Sequence, residues 1–381
     1  MCIFEPIKDN NRLMRYNWQQ KDWKQFTYDK QKIDQYVAAF SEKVGVSKGI
    51  LNVLSKEQRG QTMIDALVLE ALKTSEIEGE YISREDVLSS VKRNIGVGTT
   101  KEPIKDIRAK GISAMLVHVH NSYEQTLSEE TIFGWHHMLF SGSTKITAGA
   151  WRRHSEPMQV VSGSISKEVV HFEAPASSDV PNEMSSFMEW FNSTAPGAKN
   201  EIKFAAVRSA IAHLYFESIH PFEDGNGRIG RAIAEKALLQ SVGYPLLISL
   251  SSAIEDKRKG YYEALKQGQS SNEITNWIIY FIEVILNALD NSAKIIDFTI
   301  KKAHLFDAHE GQINERQEKV LKKMLESSLK EFEGGMSANK YMKITKTSKA
   351  TATRDIQKLR DLGIFIPIGK GRSTSYKVAL S

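Results

Sequence analysis

The chain of 381 residues has few of the features that mark secreted or membrane proteins. Its one cysteine, Cys2, excludes an intrachain disulfide and a cysteine-based metal cluster. No apolar run is long enough to span a bilayer, and residues 1–13 contain acidic side chains and lack the long apolar core of a secretory signal. We therefore expect a cytoplasmic protein with no membrane segment.

Net charge is also small, because the whole chain carries only +5, but it is unevenly placed. Residues 337–381 contain seven lysines, three arginines and two aspartates, which give this tail +8 and leave −3 for the rest. A basic tail on a mildly acidic body predicts that only the tail binds a polyanion. Hydrophobic residues make up 41% of the chain, as in ordinary globular proteins, and the length suits two or three domains.

One stretch, HPFEDGNGRIGR at residues 220–231, combines residue types that suit phosphate chemistry. Apolar side chains recur at helical spacing in residues 201–218 and again from Ile229, so the stretch is predicted to be a loop that opens a second helix. Pro221 ends the first helix, because proline disfavours helical torsions in the residue before it. The start of the second helix offers free N–H groups and a positive dipole end to an anion.

Each polar residue of this stretch has a predicted part at an anion site. Gly225 and Gly227 can adopt positive φ torsions, which lets successive N–H groups point at one phosphate. Arginines three residues apart can fork onto phosphate oxygens, a carboxylate is a hard ligand for Mg²⁺, and a histidine can take a proton near neutral pH. These side chains are Arg228 and Arg231, Asp224, and His220, with Asn226 as a further neutral donor. The alternative is a polar, glycine-rich connection between helices with a surface histidine.

The stretch resembles the signature of the Fic family, HxFx(D/E)GNGRxxR, and matches it at every fixed position. The resemblance implies transfer of AMP from ATP to a hydroxyl group of another protein, with His220 as the base and Mg²⁺ on Asp224. A related branch that phosphorylates its target has lysine at the position of Gly227, so the glycine favours nucleotidyl transfer. The resemblance also implies nucleotide contacts from Gly225, Asn226, Gly227, Arg228 and Arg231.

A second resemblance lies at the end of an earlier predicted helix. The piece TSEIEGE is similar to the (S/T)xxxE(G/N) inhibitory motif of Fic proteins, with Thr74, Glu78 and Gly79 at its fixed positions. It implies an inhibitory helix over residues 66–80, whose Glu78 pairs with Arg231 and keeps that arginine from the γ-phosphate of ATP. With Glu78 orienting a water, the same site could instead remove AMP from the target. Composition alone would favour an ordinary acidic helix end.

Two β-rich runs around a glycine predict a hairpin over residues 158–172. In Fic proteins, such a hairpin is a flap that docks the target segment as an added strand, mainly through backbone hydrogen bonds. Docking of this kind depends little on the target's side chains, so the sequence does not name the target.

Two adjacent tyrosines, Tyr261 and Tyr262, lie in a helix predicted over residues 253–267 and are candidates for the adenine pocket. Family members place a similar YYxxL segment beside the nucleobase, where an aromatic ring can stack on adenine or line its pocket. Core tyrosines without a ligand are the equal alternative.

The pattern changes from Asn314, where an amphipathic helix is predicted over residues 315–329, followed by two further helices and a hairpin that has a basic tip. This arrangement resembles the winged helix-turn-helix domain at the C-terminus of many bacterial Fic proteins. It implies binding of duplex DNA through residues 337–381, with phosphate contacts from Lys370 and Arg372. A protein-interaction or dimerisation module of the same fold is the alternative.

Together these features predict a mainly α protein: a Fic helical domain with a β-hairpin flap, then a winged helix-turn-helix domain. We expect an N-terminal extension over residues 1–57, the Fic domain over 58–303 and the winged helix over 304–381. The expected activity is adenylyl transfer from ATP to a Ser, Thr or Tyr hydroxyl of a target protein, which can be the protein itself. A nucleotide-sensing DNA-binding regulator, transfer of another nucleotide and a homodimer stay open as alternatives.

Overall fold

Helices dominate the computed structural model, which describes residues 16–97, 103–162, 169–325, 332–369 and 374–380. The chain divides into two compact units. One joins the residues up to Ser47 with Ile64–Leu289, and the other joins Lys48–Met63 with Asp290–Ser381. The domain limits expected after residues 57 and 303 fall inside continuous helices, because hydrophobic periodicity alone does not show where contacts divide a long helix. Those limits stay a prediction.

The described chain begins with a short 3-10 turn, Asn17–Gln19, which is followed by eleven α-helices. Several of these helices start at residues whose side chains cap them. Ser83 and Ser128 each accept the N–H of the residue three positions on, as expected of N-cap serines. In order, the helices are α1 Lys30–Val53, α2 Lys56–Ile77, α3 Arg84–Asn94, α4 Ile107–Asn121, α5 Glu129–Phe140, α6 Val180–Ser193, α7 Ala205–Ile219, α8 Asn226–Val242, α9 Leu250–Glu255, α10 Arg258–Gly268 and α11 Thr275–Ala308.

The core of the first unit surrounds α7, and every residue of that helix is buried. The sequence pattern predicts one buried face, but α7 packs against α6 and α8 and shares its hydrophobic core with α10 and α11. Trp277 Nε1 donates to the carbonyl of Ala210 at 2.8 Å, which ties α11 to α7. The polar side chains of α7 are therefore enclosed, which places His213 and Glu217 beside the start of α8 without solvent.

The expected helix over residues 253–267 is two helices, α9 and α10. Lys257 between them has φ −132° and ψ 38°, which is outside the helical region. Ser249 caps α9 by accepting the N–H of Ser252, so α9 starts earlier than the apolar spacing suggests. The break leaves Tyr261 and Tyr262 on the first turn of α10.

The predicted strand pair is confirmed as β1 (Gln159–Ser162) and β2 (Val169–Glu173), which run antiparallel with Val160 opposite Phe172. Residues 163–168 between the two strands lie outside the described residues. Trp18 Nε1 donates to the carbonyl of Glu173 at 2.7 Å, so the N-terminal segment holds the base of the hairpin. Its neighbour Trp23 packs on Tyr215 of the core, as the number of aromatics in this segment predicts.

The second unit contains α12 (Glu315–Met324), α13 (Ala338–Thr345) and α14 (Lys349–Asp361), followed by the antiparallel strands β3 (Phe365–Ile368) and β4 (Ser375–Val378). We expected α12 to reach residue 329; it ends at Met324, and residues 326–331 lie outside the described part. A small core formed by all five elements includes Leu321, Tyr341, Ile356, Leu359, Phe365 and the partly buried Val378. Lys370 and Arg372, expected at the hairpin tip, lie outside the described residues.

None of the helices in the described ranges has an apolar stretch long enough to cross a membrane. Placement in the cytoplasm stays a prediction.

Candidate active site

The residues from His220 to Asn226 form a tight loop between α7 and α8, as predicted. His220 caps α7 in the left-handed region, with φ 49° and ψ 61°. Asn226 Oδ1 accepts the N–H of Phe222 at 2.9 Å, and Asn226 Nδ2 donates to the carbonyl of Phe222 at 2.8 Å. Both ends of the Asn226 amide thus shape the loop.

Arg152, which sequence reasoning did not select, holds the backbone of His220. Its Nε donates to the carbonyl of His220 at 2.9 Å, and its Nη2 donates to the carbonyl of Ile219 at 3.3 Å. Its own N–H donates to the carbonyl of Pro221 at 3.0 Å. Burial lowers the pKa of Arg152 to about 10, so it stays charged at neutral pH. These bonds stabilise a left-handed backbone that costs a non-glycine residue about 1–3 kcal/mol.

His136 of α5 is a second residue that the sequence did not select. Its ring stacks on Phe222 at 4.0 Å, and its Nε2 lies 3.2 Å from the carbonyl oxygen of Asp224. Its Nδ1 accepts the N–H of Gly149 at 2.8 Å. Burial lowers the pKa of His136 to about 4, so the ring is neutral and Nε2–H donates to Asp224. His136 thus packs against the loop and supports it. The adjacent pair His136 and His137 in the sequence does not indicate this contact.

The two glycines of the loop serve different purposes. Gly225 has φ 85°, and a Cβ there would meet the Phe140 ring at 2.6 Å, so the predicted positive φ is confirmed. The same prediction is wrong for Gly227, which lies in the first turn of α8 without a positive φ. A Cβ on Gly227 would lie 2.3 Å from Glu78 Oε1 and 3.0 Å from Arg231 Nη1. Gly227 therefore gives space to the Glu78–Arg231 pair.

Arg231 is almost fully buried and is held by the end of α2. Its Nη2 donates to Glu78 Oε1 at 2.8 Å and to the carbonyl of Thr74 at 3.0 Å, and its Nε donates to Thr74 Oγ1 at 2.8 Å. Burial alone would lower the pKa of Arg231, but Glu78 outweighs it and the pKa is raised. The predicted pairing of Glu78 with Arg231 is thus present. Glu78 itself lies in a turn, because α2 ends at Ile77 and Gly79 follows with φ 78°.

Arg228 is held by a second carboxylate, which sequence reasoning missed. Arg228 Nη1 donates to both oxygens of Glu80, at 3.1 and 3.2 Å. Its Nη2 lies 3.4 Å from Asp224 Oδ1, and its guanidinium lies over the Phe140 ring at 5.1 Å. The side chain of Asp224 is 55% exposed, which leaves it open to a ligand. The alternating acids in EIEGE were the available signal, since residues 78 and 80 face the two arginines.

The two candidate tyrosines differ in exposure. Tyr261 is 2% exposed, and its hydroxyl lies 2.8 Å from His213 Nε2 in the core. Tyr262 is 43% exposed, and its ring lies 5.2 Å from that of Tyr261. Tyr261 is therefore a core tyrosine, which was the alternative interpretation. The ring of Tyr262 is accessible to a ligand.

Comparisons with known protein families agree with this arrangement of hairpin, loop and arginines. Residues 126–238 match the model of the Fic/DOC family, and residues 16–97 match a domain of unknown function, DUF4172. The chain carries a Fic/DOC domain. The matched range contains the hairpin and the loop with His220, Arg228 and Arg231, whereas Glu78 and Glu80 come from the segment that matches the domain of unknown function.

Curated relatives of the Fic domain carry the name protein adenylyltransferase Fic. One from Nematostella vectensis is 38% identical over 93 residues, which are 24% of this chain and 20% of the relative. One from Drosophila virilis is 30% identical over 161 residues, which are 42% of this chain and 28% of the relative. The chain thus spans between a fifth and a third of the length of these relatives.

Solved structures share the fold of the Fic domain. A Fic family protein from Desulfovibrio desulfuricans aligns with a TM-score of 0.55 at 19% identity, over 92% of this chain and 97% of that one. A Fic domain containing signaling protein from Bacteroides thetaiotaomicron aligns with a TM-score of 0.51 at 19% identity, over 71% of this chain and 96% of that one. At this identity the likeness concerns the fold alone, and it agrees with the mainly helical architecture expected from the sequence.

Proposed function

We propose that the protein is an adenylyltransferase that moves AMP from ATP to a Ser, Thr or Tyr hydroxyl of a target protein. The observation that carries the proposal is the position of His220 at the end of α7, directly before a helix start whose first turns present Arg228 and Arg231. This position supports the proposal, because a proton acceptor next to a helix start suits transfer from a polyphosphate. The name shared by the relatives supports the same activity.

The start of α8 suits the phosphates of ATP. Helix N-termini combine unpaired N–H groups with a positive dipole end, and Gly225 opens the loop in front of them. Once free, Arg228 and Arg231 can each fork onto phosphate oxygens. The exposed ring of Tyr262 is the proposed contact for adenine, with the backbone of Gly225, Asn226 and Gly227 facing the phosphates.

The proposed metal is Mg²⁺, held by Asp224. Within the described ranges, no group of three His, Cys, Asp or Glu side chains is arranged to hold a metal. A single exposed carboxylate nevertheless fits Mg²⁺, which commonly takes one or two carboxylates and completes its shell with phosphate oxygens and water. When bound, it would neutralise charge on the phosphates.

Glu78 is the proposed inhibitor of this site. Arg231 cannot hold the γ-phosphate while Glu78 and Thr74 occupy its Nη2 and Nε. The phosphates would then lie out of line for attack, and about 1 Å of misplacement can cost on the order of a hundredfold in rate. The side chain of Glu78 is 30% exposed, so solvent can reach the pair and it can open. The reverse removal of AMP would use Glu78 to orient a water.

The β1–β2 hairpin is the proposed docking site for the target. A two-stranded sheet leaves unpaired backbone groups on its outer edges, and an extended segment can add there as another strand. In the proposed reaction, the target hydroxyl gives its proton to His220 as its oxygen attacks the α-phosphorus. The bond from the α-phosphorus to the bridging oxygen breaks, and pyrophosphate leaves.

Labelled nucleotides test this function. Glu78→Gly protein should become labelled, or label its target, from ATP carrying ³²P at the α-phosphorus but not at the γ-phosphorus. GTP, UTP and CTP labelled at the α-phosphorus test transfer of another nucleotide. Binding of ATP with no label from any nucleotide would contradict adenylyl transfer and favour the nucleotide-sensing regulator.

We further propose that the second unit is a winged helix-turn-helix module that binds duplex DNA. Arg354 and Lys358 are exposed on α14, while Ile356 and Leu359 on its other side are buried in the core. An exposed basic helix face beside a hairpin suits contacts with phosphates.

The DNA proposal is tested on the full chain with a labelled duplex at two salt concentrations. Binding should weaken as salt rises, because each cation displaces counterions from the duplex. Changing Arg354 and Lys358 to Gln should reduce the salt slope by about 2, whereas the same change at the exposed Lys30 and Lys32 of α1 should leave it unchanged. No binding at the lower salt would favour the protein-interaction alternative.

A further inference from the structure

A buried carboxylate lies beside the proposed base. Glu217, on the last turn of α7, is 4% exposed, and its Oε2 lies 3.6 Å from Nδ1 of His220. Its other oxygen, Oε1, has no hydrogen-bond partner among the described residues. A Cβ on Gly230 of α8 would lie 2.3 Å from that oxygen. The fold therefore keeps space for this carboxylate, and glycine at residue 230 provides it.

An ionised carboxylate in such a place needs a cation, since the cost of burying a lone charge is several kcal/mol. Burial raises the pKa of Glu217, but His220, His213 and Arg231 together lower it below its ordinary value. Nε2 of His213 is already engaged with the hydroxyl of Tyr261. Within the described residues, the one ion pair of Glu217 closer than 4 Å is with His220.

The backbone of His220 is held from both directions, so its ring is the part still able to turn. The N–H of His220 donates to the carbonyl of Phe216 at 2.9 Å, and its carbonyl accepts from Arg152. Only the side-chain torsions decide which ring nitrogen faces the phosphates. With Nδ1–H directed at Glu217, Nε2 is left as the unprotonated nitrogen that a general base requires.

We propose that Glu217 is a positioning residue that acts through His220. Its carboxylate accepts Nδ1–H, keeps Nε2 as the basic nitrogen and stabilises the imidazolium that forms when the target hydroxyl gives up its proton. The proton moves to Nε2 and not to Glu217. At the same time the hydroxyl oxygen bonds to the α-phosphorus, and pyrophosphate leaves with the electrons of the broken bond. The present separation of 3.6 Å suits a contact that shortens as charge develops on the ring.

This inference rests on the proposed function, and Glu217→Gln in the Glu78→Gly background tests it. The amide keeps the shape of the side chain but removes its charge, and its NH₂ group can favour the wrong tautomer of His220. We expect labelling from ATP to fall by about 10- to 100-fold while ATP binding stays within about twofold. The acid limb of the pH–rate profile should move to lower pH, because the pairing with His220 that lowers the pKa of Glu217 also favours the imidazolium and is lost with the charge.

The chain offers a matched control in Glu235→Gln. Glu235 of α8 is 3% exposed, and its Oε1 lies 2.8 Å from Nε2 of His120, so it is also a buried glutamate paired with a histidine. It is not part of the loop. The control should lose stability to a similar degree and keep the pH profile unchanged. An equal fall in both variants with no shift of the acid limb would overturn the proposal and make Glu217 a structural residue.

A second readout does not depend on transfer. The ring signals of His220, followed by NMR against pH and assigned with His220→Asn, report the protonation of the ring directly. Their midpoint should move to lower pH in Glu217→Gln, which removes the negative neighbour, and stay in place in Glu235→Gln. An unmoved midpoint would overturn the proposal even if no nucleotide is transferred, whereas a shifted midpoint without transfer would contradict the proposed function alone.

Discussion

Acidic side chains border the signature loop on two sides, and they differ in how they are held. Glu78 and Glu80, from the end of α2, pair with the two arginines, and their side chains are 30% and 28% exposed. Glu217, from the end of α7, pairs with His220 and is 5% exposed. The arginines themselves are 2% and 5% exposed, so solvent reaches these pairs only from the side of the carboxylates. The acidic side chains that follow α2 are thus open to solvent on one side, whereas the carboxylate of Glu217 is enclosed.

Distance along the chain reinforces this difference. Glu78 reaches Arg231 across 153 positions, so their contact depends on where α2 docks. Glu217 and His220 are three residues apart at the end of one fully buried helix. A movement of α2 would release both arginines and leave the base in place. The proposed regulation and the proposed catalysis thus involve the same loop but different elements of the fold.

The largest expected effect comes from removing His220, the proposed base. His220→Ala in the Glu78→Gly background should lower transfer by about 10²- to 10⁴-fold, as loss of a general base does. ATP binding should stay nearly unchanged, because the phosphates are held by the helix start and the arginines. Transfer is measured by labelling and ATP binding by calorimetry, with the exposed His304 changed to Ala as control. Transfer at the background rate would remove His220 from the role of base.

The next largest effect is expected from changing Arg231, the arginine that pairs with Glu78. Arg231→Ala should lower transfer by about 10²-fold or more, since it removes a preorganised clamp on the γ-phosphate. Glu78→Gly should not rescue it, because the released group no longer exists. Labelling of the double variant against Glu78→Gly alone measures this. Recovery to the level of Glu78→Gly would show that Glu78 inhibits without involving Arg231.

Apolar spacing and the contiguous motif predict the loop and its helices, and the resemblance of TSEIEGE to the Fic inhibitory motif predicts the Glu78–Arg231 pair. The sequence does not predict that Gly227 is needed for space rather than for torsion, since that depends on where Glu78 arrives from. Arg152 and His136 were missed for a similar reason, because their roles come from burial against the loop. Tyr261 and Tyr262 could not be separated, because adjacent positions on a helix differ in exposure only once the neighbouring helices are placed.

The smallest effect concerns Glu80, the second carboxylate that follows α2. Glu80→Gln should raise transfer by about two- to fivefold, less than Glu78→Gly, because the amide loses the charge but keeps an oxygen that can accept from Arg228. The side chain keeps its shape but holds Arg228 less firmly. Initial rates of labelling are compared with those of Glu85→Gln, an exposed control on α3. A rise as large as that of Glu78→Gly would mean that Arg228, and not Arg231, is the arginine whose release matters.

Glu78 is proposed to keep a competent site inactive by pairing with Arg231. The most direct measurement is the initial rate of labelling from α-³²P-ATP, including self-labelling, in wild-type and Glu78→Gly protein. A matched control is Glu76→Gly, which makes the same change two residues earlier on α2, where Glu76 pairs with Lys73 instead. We predict that Glu78→Gly raises the rate by at least about tenfold, equal to about 1.4 kcal/mol, and that Glu76→Gly does not. An unchanged rate in Glu78→Gly protein that still binds ATP would contradict the claim and reduce Glu78 to an ordinary helix end.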